Sequence, residues 1–258
     1  MITSSANAQV KEVIQLSKKA KERHRQQLFI VEGHKMFLEA PKSRIRKIFV
    51  TEAYEKEHPK ELSDLRYEVV EERVFAQMSD TQTPQGVLCL IQMQEYSMEE
   101  LLGGSCPLLL VLEDLQDPGN VGTILRTAEG AGVSGILLSR NCVDLFNPKT
   151  IRSTMGSIYR MPFRYVDSLK ESLSMLRERN IHTYAAHLEG AHAYDQEDYR
   201  TGSAFLIGNE GNGLSQEISA LADTWIRIPM CGQVESLNAA IAASLLGYEA
   251  FRQRRDNK

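Results

Sequence analysis

The chain has 258 residues, 42% of them hydrophobic and 25% charged. At roughly 150 residues per domain this predicts two modest domains, and the composition excludes collagen-like, disordered and disulfide-stapled miniprotein classes. The formal net charge is −4, yet residues 1–50 hold eleven Lys/Arg against four Asp/Glu, so the N-terminal end is +7 and the remainder −11. That end reads either as a solvated helix face or as an anion-facing surface. No apolar run approaches the roughly 18 residues of a membrane span, and the start, MITSSANAQVKEV, lacks the layout of a signal peptide. A cytoplasmic protein with no membrane partner is expected. Cys89, Cys106, Cys142 and Cys231 show no ligand or disulfide spacing, which predicts reduced thiols and no metal site.

In chain order, the pattern predicts a helix over Ala8–Lys21 with Val10, Val13 and Ile14 on one side, then a strand at Leu28–Val31 and a helix at His34–Ala40. A strand at Ile45–Val50, a helix near Lys56–Leu65, a strand at Tyr67–Val70, a helix at Glu72–Met78 and a strand at Gly86–Gln92 follow. These alternating elements form an α/β domain over residues 1–93. Residues 94–106, with Gly103-Gly104-Ser105, read as a linker.

From 107 to 258 the strands are longer apolar runs: Leu108–Leu112, Ile136–Ser139, Thr183–His187, Ala204–Ile207 and Trp225–Ile228. Such runs suit parallel strands covered on both faces. Helices are predicted at Val121–Glu129, Pro148–Ser157, Leu169–Arg179, Gln216–Ala222 and Leu237–Arg252. On the last, Leu237, Ile241, Leu245 and Tyr248 make one stripe, and Ala239, Ala240, Ala242 and Ala243 would let a neighbour approach closely. Gly130, Gly132 and Gly135 spell a dinucleotide fingerprint. They follow a helix and precede a strand, the reverse of what pyrophosphate binding needs, so they read as a helix stop.

Three segments stand at the C-terminal ends of predicted strands. Asp117-Pro118-Gly119-Asn120 opens a helix with Asn120 as its expected cap and Arg126 six residues on. Gly208-Asn209-Glu210-Gly211-Asn212-Gly213 places a carboxylate inside a loop whose backbone a ligand could reach. Ile228-Pro229-Met230-Cys231-Gly232 leads to Ser236-Leu237-Asn238, with Ser236 as the expected cap of the last helix. Alone, each could be an ordinary capped helix or turn. Together they occupy one edge of one parallel sheet, where open α/β folds bind ligands. His187 and His192 read as structural or solvated.

DPGNVGTILRT, IGNEGNGLS and IPMCGQVESLN resemble, in order and spacing, the three motifs of the SpoU (TrmH) family of RNA ribose methyltransferases. More weakly, Arg23 through Phe29, Glu32-Gly33, Ala40 and Thr83-Pro84-Gln85-Gly86-Val87 resemble the substrate-binding domain that precedes the catalytic one in many members. The resemblance implies a smaller ribosomal-protein-like α/β/α domain followed by a parallel sheet with a deep trefoil knot, here from about Thr201 to Arg252. It implies S-adenosylmethionine as the methyl donor, no metal, and a homodimer packed through the last helix and the first motif's helix.

By position, the catalytic residues are Asn120, Arg126, Glu210, Ser236 and Asn238. The cofactor residues are Gly208, Glu210, Gly213, Ile228, Met230, Ser236 and Leu237. RNA contacts are expected from Lys18, Lys19, Lys21, Arg23 and Arg25, and from Arg152 in a segment resembling one beside the family's active site. The implied activity is methylation of a ribose 2′-hydroxyl in 23S ribosomal RNA. Transfer RNA is the alternative substrate, and an RNA-binding protein without turnover the alternative class.

Overall fold

The structure, a computed structural model, describes residues 1–234 and 236–255. Glu235 of the third motif and the last three residues of the predicted catalytic domain lie outside the described residues. In chain order the elements are α1 (Ala8–Lys18), α2 (Ala20–Gln26), β1 (Leu28–Glu32), α3 (His34–Glu39), β2 (Ile45–Val50), α4 (Glu52–Glu57), α5 (Pro59–Leu62) and β3 (Glu68–Val69). Next come α6 (Glu72–Met78), β4 (Val87–Gln92), α7 (Met98–Leu101), β5 (Leu108–Leu112), α8 (Pro118–Gly130), β6 (Gly135–Ser139) and α9 (Pro148–Thr154). The chain continues through β7 (Phe163–Val166), α10 (Leu169–Glu178), β8 (His182–Ala186), β9 (His192–Ala193), β10 (Ser203–Ile207), α11 (Gln216–Leu221), β11 (Thr224–Arg227) and α12 (Ala239–Arg255). No helix of the described residues is long and apolar enough to cross a membrane.

The chain divides into two compact units, and neither is continuous in sequence: one is Met1–Gln94 with Asp144–Tyr159, the other Glu95–Val143 with Arg160–Lys258. The first unit is built on a four-stranded sheet in the order β1-β4-β2-β3. Its central strand β4 is antiparallel to both β1 and β2, and β3 joins in parallel. Val10, Val13 and Leu16 of α1 pack with Phe49, Val74, Phe75 and Leu88 into its core. The segment 144–159 belongs to this unit because it buries itself there. Phe146 lies against Phe29 with ring centroids 5.0 Å apart, and the Tyr159 hydroxyl donates to the Met36 carbonyl at 3.0 Å.

Two predicted helices of this unit are broken. The helix expected over Ala8–Lys21 stops at Lys18, because Lys19 is extended and the Arg23 guanidinium turns back to donate to the freed carbonyls of Leu16 and Ser17, at 2.7 and 3.1 Å. The helix expected near Lys56–Leu65 is instead α4 and α5. Thr51 caps the first, and Pro59 at the first position of the second, lacking an N–H, ends what precedes it at His58.

The second unit holds seven parallel strands in the order β7-β6-β5-β10-β8-β11-β9. From β5 the chain runs outward through β6 to β7, then crosses to β8, and β10 later fills the place between β5 and β8. Strands β5 and β10 are buried along their whole length, as their unbroken apolar sequences require. The pattern missed β7 and the two-residue β9, both at sheet edges where burial is partial and the apolar signal weak. Gly130 ends α8 and Gly132 follows at φ +71°, in keeping with the helix-stop reading.

The alanine-rich face of α12 packs within its own chain. Ala239, Ala240, Ala243 and Gly247 are buried, Ser244 donates to Thr127 of α8 at 3.2 Å, and a Cβ on Gly247 would lie 3.5 Å from Ala131. Thus α8 is the neighbour these small residues admit. The other side shows Ile241, Leu245, Tyr248 and Phe251 exposed. Arg254 fastens the far end of α12, donating to the carbonyls of Tyr199, Cys106 and Thr201.

Candidate active site

The loops after β5, β10 and β11 all leave the C-terminal edge of the parallel sheet, and hydrogen bonds join the three motifs there. The Glu210 carboxylate accepts from Asn120 Nδ2 at 3.1 Å and from the backbone amides of Asp117 and Gln116, each at 3.3 Å. Asn120 Oδ1 in turn accepts from Asn238 Nδ2 at 2.8 Å. Asn238 Oδ1 takes the N–H groups of Ala240 and Ile241, so the same side chain that meets Asn120 also starts α12. Burial alone would raise the Glu210 pKa. The donors from Asn120 and from the amides of Glu210, Gln116 and Asp117 outweigh it and hold the carboxyl below the usual glutamate range.

Two expected caps are corrected here. Asp117, not Asn120, caps α8, its Oδ1 accepting from Asn120 N at 2.7 Å. Asn238, not Ser236, caps α12. In both places a neighbouring residue takes the backbone, which releases Asn120 and Ser236 for other partners. Ser236 is exposed and makes no hydrogen bond to the described residues.

The loop after β10 is held to itself. Asn209 and Gly213 exchange N–H···O bonds of 3.0 and 2.8 Å, and Asn209 Oδ1 accepts from the amide of Gly211 at 2.9 Å. A side chain at Gly208 could not be accommodated, since its Cβ would lie 2.0 Å from the Gly213 carbonyl carbon and the Leu214 nitrogen. The loop is thereby set before any ligand arrives. Ile228, Met230 and Leu237 are half-buried, keeping apolar surface open along the edge.

Arg126 is exposed and bonded to none of the described residues. Six residues beyond Asn120 place it about 9 Å along the axis and roughly 240° around it, so the two side chains leave different faces of α8. The structure brings Asn120, Glu210 and Asn238 together and leaves Arg126 and Ser236 outside that bonded group.

A cleft of about 630 Å³ opens at this edge, lined by Glu113, Asp114, Gln116, Asn141, Asn209, Asn212, Gly213 and Ser215. Of the residues expected to hold a cofactor only Gly213 lines it. Sequence reading missed Glu113 and Asp114, whose signal was their position directly after β5. The Glu113 carboxylate accepts from the amide and hydroxyl of Ser215, each at 2.7 Å, and Asp114, at φ +55°, offers its carbonyl to Asn209 Nδ2 at 2.7 Å.

Among the expected RNA contacts, Lys18, Lys19, Lys21 and Arg25 are exposed, Arg25 with Glu22 as its partner. Arg23 is a correction: it is 3% exposed, and its guanidinium is taken up by Asp144 at 2.6 Å and by two backbone carbonyls. Buried, and with four of its N–H donors engaged by Asp144 and the two carbonyls, this arginine holds the fold together and does not stand at the surface to meet phosphate. Arg152 pairs with Asp80 at 2.7 Å. His187 lies tilted against Trp225 with centroids 4.3 Å apart, and His192 meets Glu197 at 3.1 Å. All four cysteines are free, and no cluster of metal-ligating side chains occurs among the described residues.

Comparison with known proteins adds the following. The SpoU rRNA Methylase family matches residues 107–248, and an MRM3-like substrate binding domain matches residues 7–89. The chain is 32% identical to the 23S rRNA (guanosine(2553)-2′-O)-methyltransferase RlmP of Bacillus subtilis, over 96% of this chain and 97% of that protein. It also superposes on the AdoMet-bound rRNA methyltransferase from Sinorhizobium meliloti, with TM-score 0.86, 29% identity and 97% of each chain covered. The SpoU methyltransferase AviRb from Streptomyces viridochromogenes, in complex with AdoMet, gives TM-score 0.86 and 27% identity over 96% of this chain and 98% of that one.

Proposed function

Because the chain belongs to the SpoU rRNA methylase family, we propose that it transfers a methyl group from S-adenosylmethionine to a ribose 2′-hydroxyl of 23S ribosomal RNA. It is an S-adenosylmethionine-dependent RNA methyltransferase. The observation that carries the assignment to this edge is the Glu210–Asn120–Asn238 chain of hydrogen bonds, which draws all three motifs into one place.

The residues present suit the cofactor. Gly208 and Gly213 keep side chains away from the loop backbone, and Ile228, Met230 and Leu237 supply a half-buried apolar rim for an adenine. Ser236 has an exposed hydroxyl with no partner among the described residues, and Glu210 an ionised carboxylate suited to a cationic sulfonium. S-adenosylmethionine, when bound, supplies an activated methyl group, so the protein has chiefly to orient the accepting hydroxyl and manage its proton.

Asn120, fixed at both ends of its amide by Glu210 and Asn238, is a rigid polar group for positioning the ribose. Arg126 holds five N–H donors and no acceptor, so its role is to clamp a neighbouring phosphate and stabilise developing alkoxide charge. A role as general base would require an acceptor, and a protonated guanidinium carries only donors. Substituting Arg126→Lys keeps a charge and Arg126→Ala removes it; graded loss supports the clamp, and wild-type turnover in both would discard it.

The first unit, residues 1–94 with 144–159, recruits the RNA, with Lys18, Lys19, Lys21 and Arg25 as phosphate contacts, and the second unit carries out the transfer. The order in which β10 enters between β5 and β8 supports a trefoil knot from about Thr201 to Arg252. The exposed row Ile241, Leu245, Tyr248 and Phe251 on α12 is where a second copy docks to form a homodimer. A ribosomal RNA substrate places the enzyme in the cytoplasm.

The deciding experiment incubates the protein with tritiated S-adenosylmethionine and total bacterial RNA, then maps 2′-O-methyl sites by resistance to alkaline hydrolysis. Label in the large ribosomal RNA at a resistant position is expected. Label in transfer RNA alone would redirect the substrate, and label in a base or in protein, or none, would overturn the reading.

A further inference from the structure

Two short motifs of the first unit, Glu32-Gly33 and Thr83-Pro84-Gln85-Gly86-Val87, have no part in the chemistry above, and they meet in space. Gly33 N donates to the Val87 carbonyl at 3.0 Å, Thr51 N to the Gly86 carbonyl at 2.9 Å, and the amide of His34 to Gln85 Oε1 at 2.9 Å. Both glycines have positive φ, +102° and +74°. A Cβ on Gly86 would strike Thr51 Oγ1 at 2.6 Å and one on Gly33 would strike Gln85 Oε1 at 2.8 Å. The two glycines therefore allow the 84–86 turn to close down beside a cluster of rings.

That cluster is His34, Tyr54 and His58. His34 and His58 stack with centroids 4.4 Å apart, Tyr54 and His58 lie at 4.4 Å, and His34 Nδ1 and the Tyr54 hydroxyl are hydrogen-bonded at 2.7 Å. Beside them opens a cavity of about 640 Å³. Its wall carries the carboxylates of Glu57 and Glu72 and no Lys or Arg among the described residues. Such a lining repels phosphate. It suits a flat, uncharged group that stacks on rings and presents N–H donors to carboxylates and an amide.

We propose that this cavity takes an unpaired nucleobase of the substrate RNA, its amino and imino N–H groups facing Glu57, Glu72 and Gln85, while the lysines of α1 and its neighbour α2 hold the backbone. The proposal rests on the chain's acting on RNA. It assigns the first unit a base-reading pocket, and it separates that pocket from the cationic residues, which are blind to sequence.

The test uses the full-length protein saturated with S-adenosylhomocysteine, so that nucleosides cannot report from the cofactor site. Guanosine, adenosine, cytidine and uridine, all without phosphate, are titrated while the ring signals of His34 and His58 are followed by NMR. At least one amino-bearing nucleoside is expected to shift both signals saturably, and uridine least. In methyl transfer, Gln85→Ala and the occluding Ala76→Trp are expected to raise KM for RNA about tenfold, with kcat and cofactor affinity within twofold. Unmoved histidine signals together with wild-type KM in both variants, from a wild-type enzyme that methylates RNA, would overturn the pocket and leave the activity standing. A wild-type protein that methylates no RNA would bring down both.

Discussion

Arg23 and Arg126 are each nominated by sequence as partners of an anion, and the structure treats them oppositely. Arg23 sits at the break between α1 and α2, 3% exposed, with Asp144 and two helix-end carbonyls on its guanidinium. Arg126 sits on α8, exposed and bonded to none of the described residues. A cationic side chain serves a ligand only while its donors are unspent. Charge counted along a chain does not say which donors those are.

The contrast can be broken most directly at Arg23. Arg23→Ala leaves the Asp144 carboxylate, only 17% exposed, without its main partner, and the expected loss of stability is about 3–5 kcal/mol by urea denaturation. An unchanged midpoint would show that Arg23 is no anchor. Next in size is Arg126→Ala, for which methyl transfer should fall about 10²–10³-fold, about 3–4 kcal/mol of barrier, with stability within about 0.5 kcal/mol of wild type. A variant that unfolds would place Arg126 with Arg23 after all.

Glu210 sharpens the comparison for a fixed anion. Its folded pKa lies below the ordinary value, so its tie to Asn120 is present above the unfolded pKa and is lost as pH falls through the folded one. In Asn120→Ala a lowering donor is gone, and the Glu210 carboxyl, followed by carbon NMR, should titrate at higher pH than in wild type. The smallest effect belongs to the α1 end. Lys18→Gln with Lys19→Gln should weaken RNA binding and flatten its salt dependence by about one unit of slope for each phosphate no longer neutralised, with stability within about 0.5 kcal/mol.

Much of the second unit was legible in the sequence because buried parallel strands are written as continuous apolar runs, and five of them stand within a residue or two of where the pattern puts them. Glu210, Asn120 and Asn238 were legible as a set through motif order. The capping pattern misled at Asn120 and Ser236, since Asp117 and Asn238 are equally good caps by type and only the geometry chooses between neighbours. The break at Lys19 was not legible either, because what stabilises it is Arg23, itself held by Asp144 from 121 residues away.

By itself the sequence determined the buried strands of the second unit, the edge of the sheet at which the three motifs gather, and the family of the chain, all consequences of local periodicity and of residue types at set spacings. Only the tertiary structure decided which polar groups are spent on the fold and which remain for a ligand. It put Arg23 inside and Arg126 outside, turned the alanine face of α12 onto α8, and joined residues 144–159 to the N-terminal unit. The physical reason is that burial and hydrogen-bond satisfaction are set by partners far away in the chain, which no local pattern records.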